Sequence, residues 1–228
     1  MSDRQKDLVV IGSGPGGYVG AIRAAQLGLD VAIVEKDAKL GGTCLLRGCI
    51  PTKSLLHSAD LAEEIRHAAA HGIMVPEFTI DFAKVMARKN KIVAKSAAGV
   101  NYLMKKNEID VVKGTARFES ANRVRVTDAE GAATTLEAKH VMIATGSVPR
   151  HVPGVAVDGT RIVTSDHVLE LTEVPESLLV LGAGAVGVEF ASVFHRFGTK
   201  VTVVELLPRM LPVEDEEVSA EFEKIFRK

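Results

Sequence analysis

Two kinds of hydrophobic pattern alternate along the chain. Short, nearly continuous apolar runs occupy residues 8–11, 31–34, 178–181 and 201–204. Runs this short, bounded by glycine or charge, read as strands buried on both faces, as in a parallel sheet. The stretch that follows residue 17 and extends to about Leu27 reads as a helix. Residues 51–65 and 81–106 continue as amphipathic helices, with Pro51 suited to a first helical turn. Residues 109–143 break into short strands, with a turn at Asp128-Ala129-Glu130-Gly131. Strand and helix therefore alternate, and the pattern predicts an α/β fold.

The pattern also repeats. Residues 8–35 align without a gap on residues 178–205, and 10 of the 28 positions are identical. Each copy reads as strand, glycine turn, helix, strand. The turns are Gly12-x-Gly14-x-x-Gly17 and Gly182-x-Gly184-x-x-Gly187. In such a loop the first glycine makes the tight turn and the second lets a pyrophosphate approach the backbone. The third lets helix and strand pack closely, and the phosphates meet the positive end of the helix. Glu35 and Glu205 end the second strand of each copy, where a carboxylate can bond ribose hydroxyls. Ordinary turns explain one such loop but not two with the same accessories at one offset. Two Rossmann-like dinucleotide sites in one chain imply electron transfer between their ligands. An acidic residue at Glu205 favours NAD over NADP, because it would repel a 2′-phosphate.

Composition narrows the partners. The chain has 228 residues, 28 Lys+Arg against 29 Asp+Glu, and a net charge of −1. No basic field is present to attract nucleic acid or an acidic membrane. The uncharged stretch 8–22 has 15 residues, five of them glycine, and about 20 apolar residues are needed to span a bilayer. With a polar start at residues 1–7, it is not a secretory signal either. The expectation is a cytoplasmic protein with no nucleic-acid or membrane partner and no metal.

The two cysteines, Cys44 and Cys49, lie in Gly41-Gly42-Thr43-Cys44-Leu45-Leu46-Arg47-Gly48-Cys49-Ile50-Pro51-Thr52-Lys53. Cys49 stands at or just before a helix N-terminus, a position that stabilises a thiolate. A disulfide would need the chain to fold back, which Gly48 eases. A stabilising staple would contribute only about 2 kcal/mol over so short a loop. A zinc site would lack its second pair of ligands, and two inert cysteines would leave the glycine and proline context unexplained. A redox-active disulfide is the favoured reading.

With its glycine pair, both cysteines and Lys53, this segment resembles the active-site signature of the flavin-dependent pyridine nucleotide-disulfide oxidoreductases. Ile50-Pro51-Thr52-Lys53, taken with Glu205, looks most like the dihydrolipoyl dehydrogenase branch. The resemblance implies FAD on the first glycine loop and NAD on the second. It makes Cys44 the interchange thiol facing a small-molecule or protein-bound dihydrolipoyl substrate, and Cys49 the charge-transfer thiol against the flavin. It puts Lys53 near the flavin, paired with Glu189. Gly114 and Ala116 resemble the backbone contacts to the FAD adenine. Thr145 and Gly146, in Val141-Met142-Ile143-Ala144-Thr145-Gly146-Ser147, resemble the strand and turn that close the first part of the FAD domain. Leu46-Arg47 departs from the Asn-Val common in the family, and reads as variation.

The expected organisation is an FAD-binding domain over residues 1–150 and an incomplete NAD-binding domain over 151–228, with Pro149, Pro153 and Gly154 marking the linker. The resemblance implies further segments: the rest of both domains, and a dimerisation domain carrying a catalytic histidine. The family context implies a homodimer serving a 2-oxo acid dehydrogenase complex. None of the seven histidines matches the family's catalytic pair. Two other readings stay open: a non-catalytic nucleotide-binding fragment, and the N-terminal part of a mercuric or glutathione-type reductase.

Overall fold

A computed structural model of the chain describes residues 4–227. Met1–Asp3, within the polar start, and Lys228 lie outside the described residues. The chain divides into two compact units, Met1–Ile50 with Lys91–Val152, and Pro51–Asn90 with Pro153–Lys228.

The first unit opens with strand β1 (Arg4–Ile11), helix α1 (Pro15–Gln26), strand β2 (Val31–Glu35) and a short helix α2 (Gly42–Arg47). Helices α3 (Cys49–His67) and α4 (Phe82–Lys106) follow, and the chain passes between the units within each of them. Strands β3 (Asp110–Lys113), β4 (Thr115–Ser120), β5 (Arg123–Thr127) and β6 (Ala133–Ile143) complete the unit. Its six-stranded sheet has the order β3-β2-β1-β6-β5-β4. The first four are parallel, and β4, β5 and β6 form an antiparallel meander.

The apolar runs are continuous because both faces of the central strands are covered. Val10 and Ile33 pack with Ala21, Leu40 and Met104 on one face. Val9, Ala32 and Val34 pack with Val124 and Leu136 on the other. This is the period-2 alternation of a strand with an apolar layer on either side. β1 starts earlier than its apolar run. Arg4 to Lys6 continue the ladder with β6, and the Lys6 ammonium ends between Asp30 and Asp110, 2.7 Å from each. Ladder and ion pairs satisfy a polar strand end that hydrophobicity alone does not mark.

In the second unit come helix α5 (Ser165–Val168), strand β7 (Ser177–Leu181), helix α6 (Ala185–Arg196), strand β8 (Lys200–Val204) and helix α7 (Glu216–Phe226). β7 and β8 pair in parallel, Leu178 opposite Val201. Leu55, Ala59, Phe82, Met86, Phe190, Val193, Phe194 and Phe197 form the core. The Phe82 ring lies 6.3 Å from that of Phe194 and 5.9 Å from that of Phe197. Lys89 is buried here, its ammonium donating to the Leu169 carbonyl. Burial pushes its pKa down against the opposing pull of Glu170. Of the acidic run 214–217, Asp215 caps α7, accepting from the N–H groups of Glu217 and Val218. Among the described residues no helix is long and apolar enough to cross a membrane.

Candidate active site

The first glycine loop joins β1 to α1 at the carboxyl end of the parallel strands, the edge where such sheets take ligands. Gly12 has φ +100°, and a Cβ there would stand 2.3 Å from the Ala144 carbonyl oxygen and 3.1 Å from Thr145 Cα. A Cβ on Gly17 would stand 1.8 Å from the Gly12 carbonyl oxygen. Only glycine fits either position. Gly14 occupies the cap position of α1, and no side chain caps that helix. Its first N–H groups are therefore free of a side-chain acceptor, as an anion site requires.

Glu35, buried at the end of β2, is built into this loop. One oxygen, Oε2, accepts from the Ser13 N–H at 2.9 Å and the Ser13 hydroxyl at 2.5 Å. The other, Oε1, accepts from the Asp37 N–H at 2.8 Å. The Gly114 N–H donates to the Glu35 carbonyl at 3.0 Å. Gly114 has φ +143°, and a Cβ there would stand 2.5 Å from the Thr127 carbonyl oxygen. Thus Gly12, Gly14, Gly17, Glu35, Gly114, Thr145 and Gly146 gather at one sheet edge. Ala116 stands farther along, in β4 opposite Val126.

Cys44 and Cys49 form a disulfide with Cα atoms 4.7 Å apart. The fold-back is helical: α2 carries Cys44, and Cys49 is the first residue of α3. Gly48 contributes space rather than an unusual φ, which is −134°. A Cβ there would stand 3.1 Å from the Thr43 carbonyl oxygen. The left-handed turns come earlier, at Gly41 (φ +127°) and Gly42 (φ +60°). A Cβ on Gly42 would stand 2.5 Å from Gly14 Cα. The cysteine segment is thus seated, backbone on backbone, against the first glycine loop.

The second copy repeats the frame in the other unit. Gly182 has φ +105°, and a Cβ on Gly187 would stand 2.0 Å from the Gly182 carbonyl oxygen. Gly184 caps α6, again with no side-chain cap. Glu205 accepts from the N–H groups of Leu207 at 2.9 Å and Ala183 at 2.7 Å. These bonds hold its carboxyl below the usual range, Leu207 having the larger effect. A cleft of about 490 Å³ beside it is lined by Ala183, Val201, Glu205, Leu207 and Arg209, among others. In the same unit the Lys53 ammonium meets Glu189 at 2.5 Å.

Ser13, Asp37 and Arg47 complete the arrangement and were not visible from spacing. Ser13 is fully buried and joins Glu35 to Gly41, whose N–H lies 3.1 Å from the Ser13 hydroxyl. Arg47 pairs with Asp37 at 2.6 Å. The nearest sequence signal was the departure at Arg47 itself. Among the described residues no group of three or more His, Cys, Asp or Glu side chains is placed to hold a metal ion.

Comparison with known proteins fits this geometry. Residues 6–228 match the family described as pyridine nucleotide-disulphide oxidoreductase. Over 230 aligned residues the chain is 47% identical to the dihydrolipoyl dehydrogenase of Bacillus subtilis (strain 168), covering 97% of this chain and 48% of that protein. It is 46% identical to the leghemoglobin reductase of Vigna unguiculata, covering 98% of this chain and 43% of that protein. The chain thus spans about half the length of these curated relatives. A solved structure of the HOCl-induced flavoprotein disulfide reductase RclA from Escherichia coli, a Cu(II) complex, superposes with a TM-score of 0.83 at 32% identity. It covers all of this chain and 48% of that one.

Proposed function

The chain belongs to the pyridine nucleotide-disulphide oxidoreductase family, and from that premise we propose that it works as a dihydrolipoyl dehydrogenase, taking electrons from a dihydrolipoyl group. The observation that carries the reading is the Cys44–Cys49 disulfide seated on the first glycine loop through Gly42 and Gly14. A disulfide serving only as a staple has no need of that seat.

The residues present fit FAD. Gly12 and Gly17 admit no side chain, a Cβ on Gly14 would meet only Gly42 Cα at 3.9 Å, α1 lacks a side-chain cap, and Glu35 stands beside the loop. Gly12, Gly14, Gly17 and Glu35 would hold the dinucleotide, with Gly114, Ala116, Thr145 and Gly146 beside it. When bound, it supplies the two-electron carrier between the dithiol and a pyridine nucleotide. Gly182, Gly184, Gly187 and Glu205 would hold that nucleotide as NAD. The ionised Glu205 would repel a 2′-phosphate, and Arg209 is engaged by Glu216 and by the carbonyls of Pro212 and Glu214.

The chain's own chemistry is thiol–disulfide exchange. One substrate thiolate attacks Cys44 Sγ. The Cys44–Cys49 bond breaks, and Cys49 leaves as a thiolate at the start of α3, where the helix dipole stabilises it. The second substrate thiol then displaces Cys44. The lipoyl group closes into its own disulfide, and the protein holds two electrons as a dithiol. Lys53, ion-paired with Glu189 at 2.5 Å, supplies fixed charge on the same helix that starts with Cys49.

Residues 1–150 would then form the FAD half and 151–228 the NAD half of a homodimer serving a lipoyl-bearing 2-oxo acid dehydrogenase complex. A reducing, cytoplasmic setting suits a disulfide that must cycle. The test is anaerobic treatment of the purified protein with dihydrolipoamide, in the presence of FAD and NAD. Two newly alkylatable thiols, bound flavin and NADH formation are expected. With lipoamide, Cys49→Ser should trap a mixed disulfide at Cys44 that Cys44→Ser lacks. Cysteines inert to dihydrolipoamide would overturn the reading.

A further inference from the structure

Leu46-Arg47 is the stretch at which the cysteine segment departs from the signature it resembles, and the structure gives Arg47 a partner. Arg47 is the last residue of α2, the helix that carries Cys44, and its guanidinium pairs with Asp37 at 2.6 Å. The Asp37 N–H in turn donates to Glu35 Oε1 at 2.8 Å. The opposite end of α2 reaches the same carboxylate by another route. The Gly41 N–H, one residue before the helix, lies 3.1 Å from both the carbonyl and the hydroxyl oxygen of Ser13, and that hydroxyl donates to Glu35 Oε2 at 2.5 Å. The two oxygens of one buried carboxylate therefore lead to the two ends of the dithiol helix.

We propose that Glu35, Ser13 and the Asp37–Arg47 pair form a two-ended clasp that positions Cys44 for disulfide closure. Ser13 and Arg47 are its positioning residues. The proposal rests on the reading of Cys44–Cys49 as a cycling dithiol and goes beyond it by naming what sets its redox balance. The physical argument is entropic. Closing the disulfide requires the two Cα atoms to lie 4.7 Å apart. A helix held at both ends is already ordered for that geometry, so less conformational freedom is lost on closure. Release of either end favours the open dithiol. The second copy has no clasp of this kind, because alanine stands at 183 where Ser13 stands in the first.

The experiment measures the dithiol–disulfide constant of the purified protein in glutathione buffers, by acid quench and alkylation. In this exchange two glutathione thiols supply two electrons and two protons. The Cys44–Cys49 bond breaks, and glutathione disulfide forms. Ser13→Ala should lower the constant for disulfide formation by about fivefold, from the loss of buried hydrogen bonds. That is about 20 mV for a two-electron couple. Arg47→Leu should lower it by about threefold, the scale of a half-exposed ion pair. Ser13→Thr and Arg47→Lys should restore most of each loss, and Ala183→Ser should change nothing.

The sign is diagnostic. Were Arg47 only a charge that stabilises thiolate, its removal would favour the disulfide instead, and that result would overturn the proposal. So would either Ser13→Ala or Arg47→Leu leaving the constant within about 1.5-fold of wild type. A measurement on the unaltered protein covers the case of a variant that does not fold. The Arg47 and Asp37 side chains are 37% and 24% exposed, so high salt should weaken the pair and shift wild type toward dithiol. A salt-independent constant would overturn the clasp. Cysteines that equilibrate with glutathione but ignore dihydrolipoamide would sink the proposed function and leave this test intact.

Discussion

The two glycine loops share a frame and differ in what surrounds them. Both place a glycine at the start of the turn with φ near +100°, and both seat the third glycine within 2.0 Å, at its would-be Cβ, of the first glycine's carbonyl oxygen. Both draw a carboxylate from the end of the second strand onto the loop N–H. Around the first loop the frame is more enclosed. β2 is buried along its whole length, Ala144 crowds Gly12, and a Cβ on Gly42 would stand 2.5 Å from Gly14 Cα. Around the second, nothing lies within 4 Å of a Cβ at Gly182 or Gly184, and Leu179, Leu181 and Val204 are about half exposed. Constraints inside the strand–turn–helix unit are therefore local and copied with the sequence. The one that makes glycine obligatory at the first position comes from a neighbouring segment, at Ala144.

That comparison breaks most sharply at its shared element. Gly17→Ala and Gly187→Ala each drive a Cβ into backbone, and each should cost about 3 kcal/mol or more by the scale of severe core clashes. Urea denaturation should show equal losses in the two copies. A tolerated Gly187→Ala beside a ruinous Gly17→Ala would show that the third glycine is not a local requirement.

The first glycine should separate the copies. Gly12→Ala combines a positive φ with a 2.3 Å approach to the Ala144 carbonyl oxygen, whereas Gly182→Ala has the φ alone. Backbone strain of this kind costs about 1–3 kcal/mol. Gly182→Ala should stay within that range and Gly12→Ala should exceed it. Equal urea midpoints for the two variants would show that surroundings do not matter at this position.

The smallest effect concerns the carboxylates. The N–H bonds to Glu205 lower its folded pKa, so the clamp it forms is fully stabilising above the unfolded value, about 4.3. The stabilisation fades as pH falls through the lower folded value. Acid titration followed by the Ala183 amide resonance should show a transition below pH 4.3 that Glu205→Gln abolishes. A transition at or above the ordinary glutamate value would mean that these bonds do not favour the charged form.

Part of the site could be read from residue order, and part could not. Spacing located both loops, both strand-end glutamates and the two cysteines, because each acts within about thirty residues of its partners. Lys53 and Glu189 are 136 residues apart, and their pairing came from family resemblance rather than pattern. Helix α2 was missed because six residues hold too few apolar positions to show a period. Gly48 is expected to ease the fold-back, and at that turn it leaves room for the Thr43 carbonyl. Ser13 carries no signal and Arg47 only its departure from the family pattern, since a serine in a turn and an arginine on a helix are ordinary surface residues until a fold buries or pairs them.

Order along the chain determined the strand–turn–helix units, their repetition and the chemistry available to them. These depend on φ preferences and short-range periodicity, which each residue brings with it. Only the tertiary structure decided that Ala144 comes up against Gly12, and that both ends of the Cys44 helix lead to a single carboxylate. Such properties depend on which backbone and which charge arrive within a few ångströms, and packing settles that.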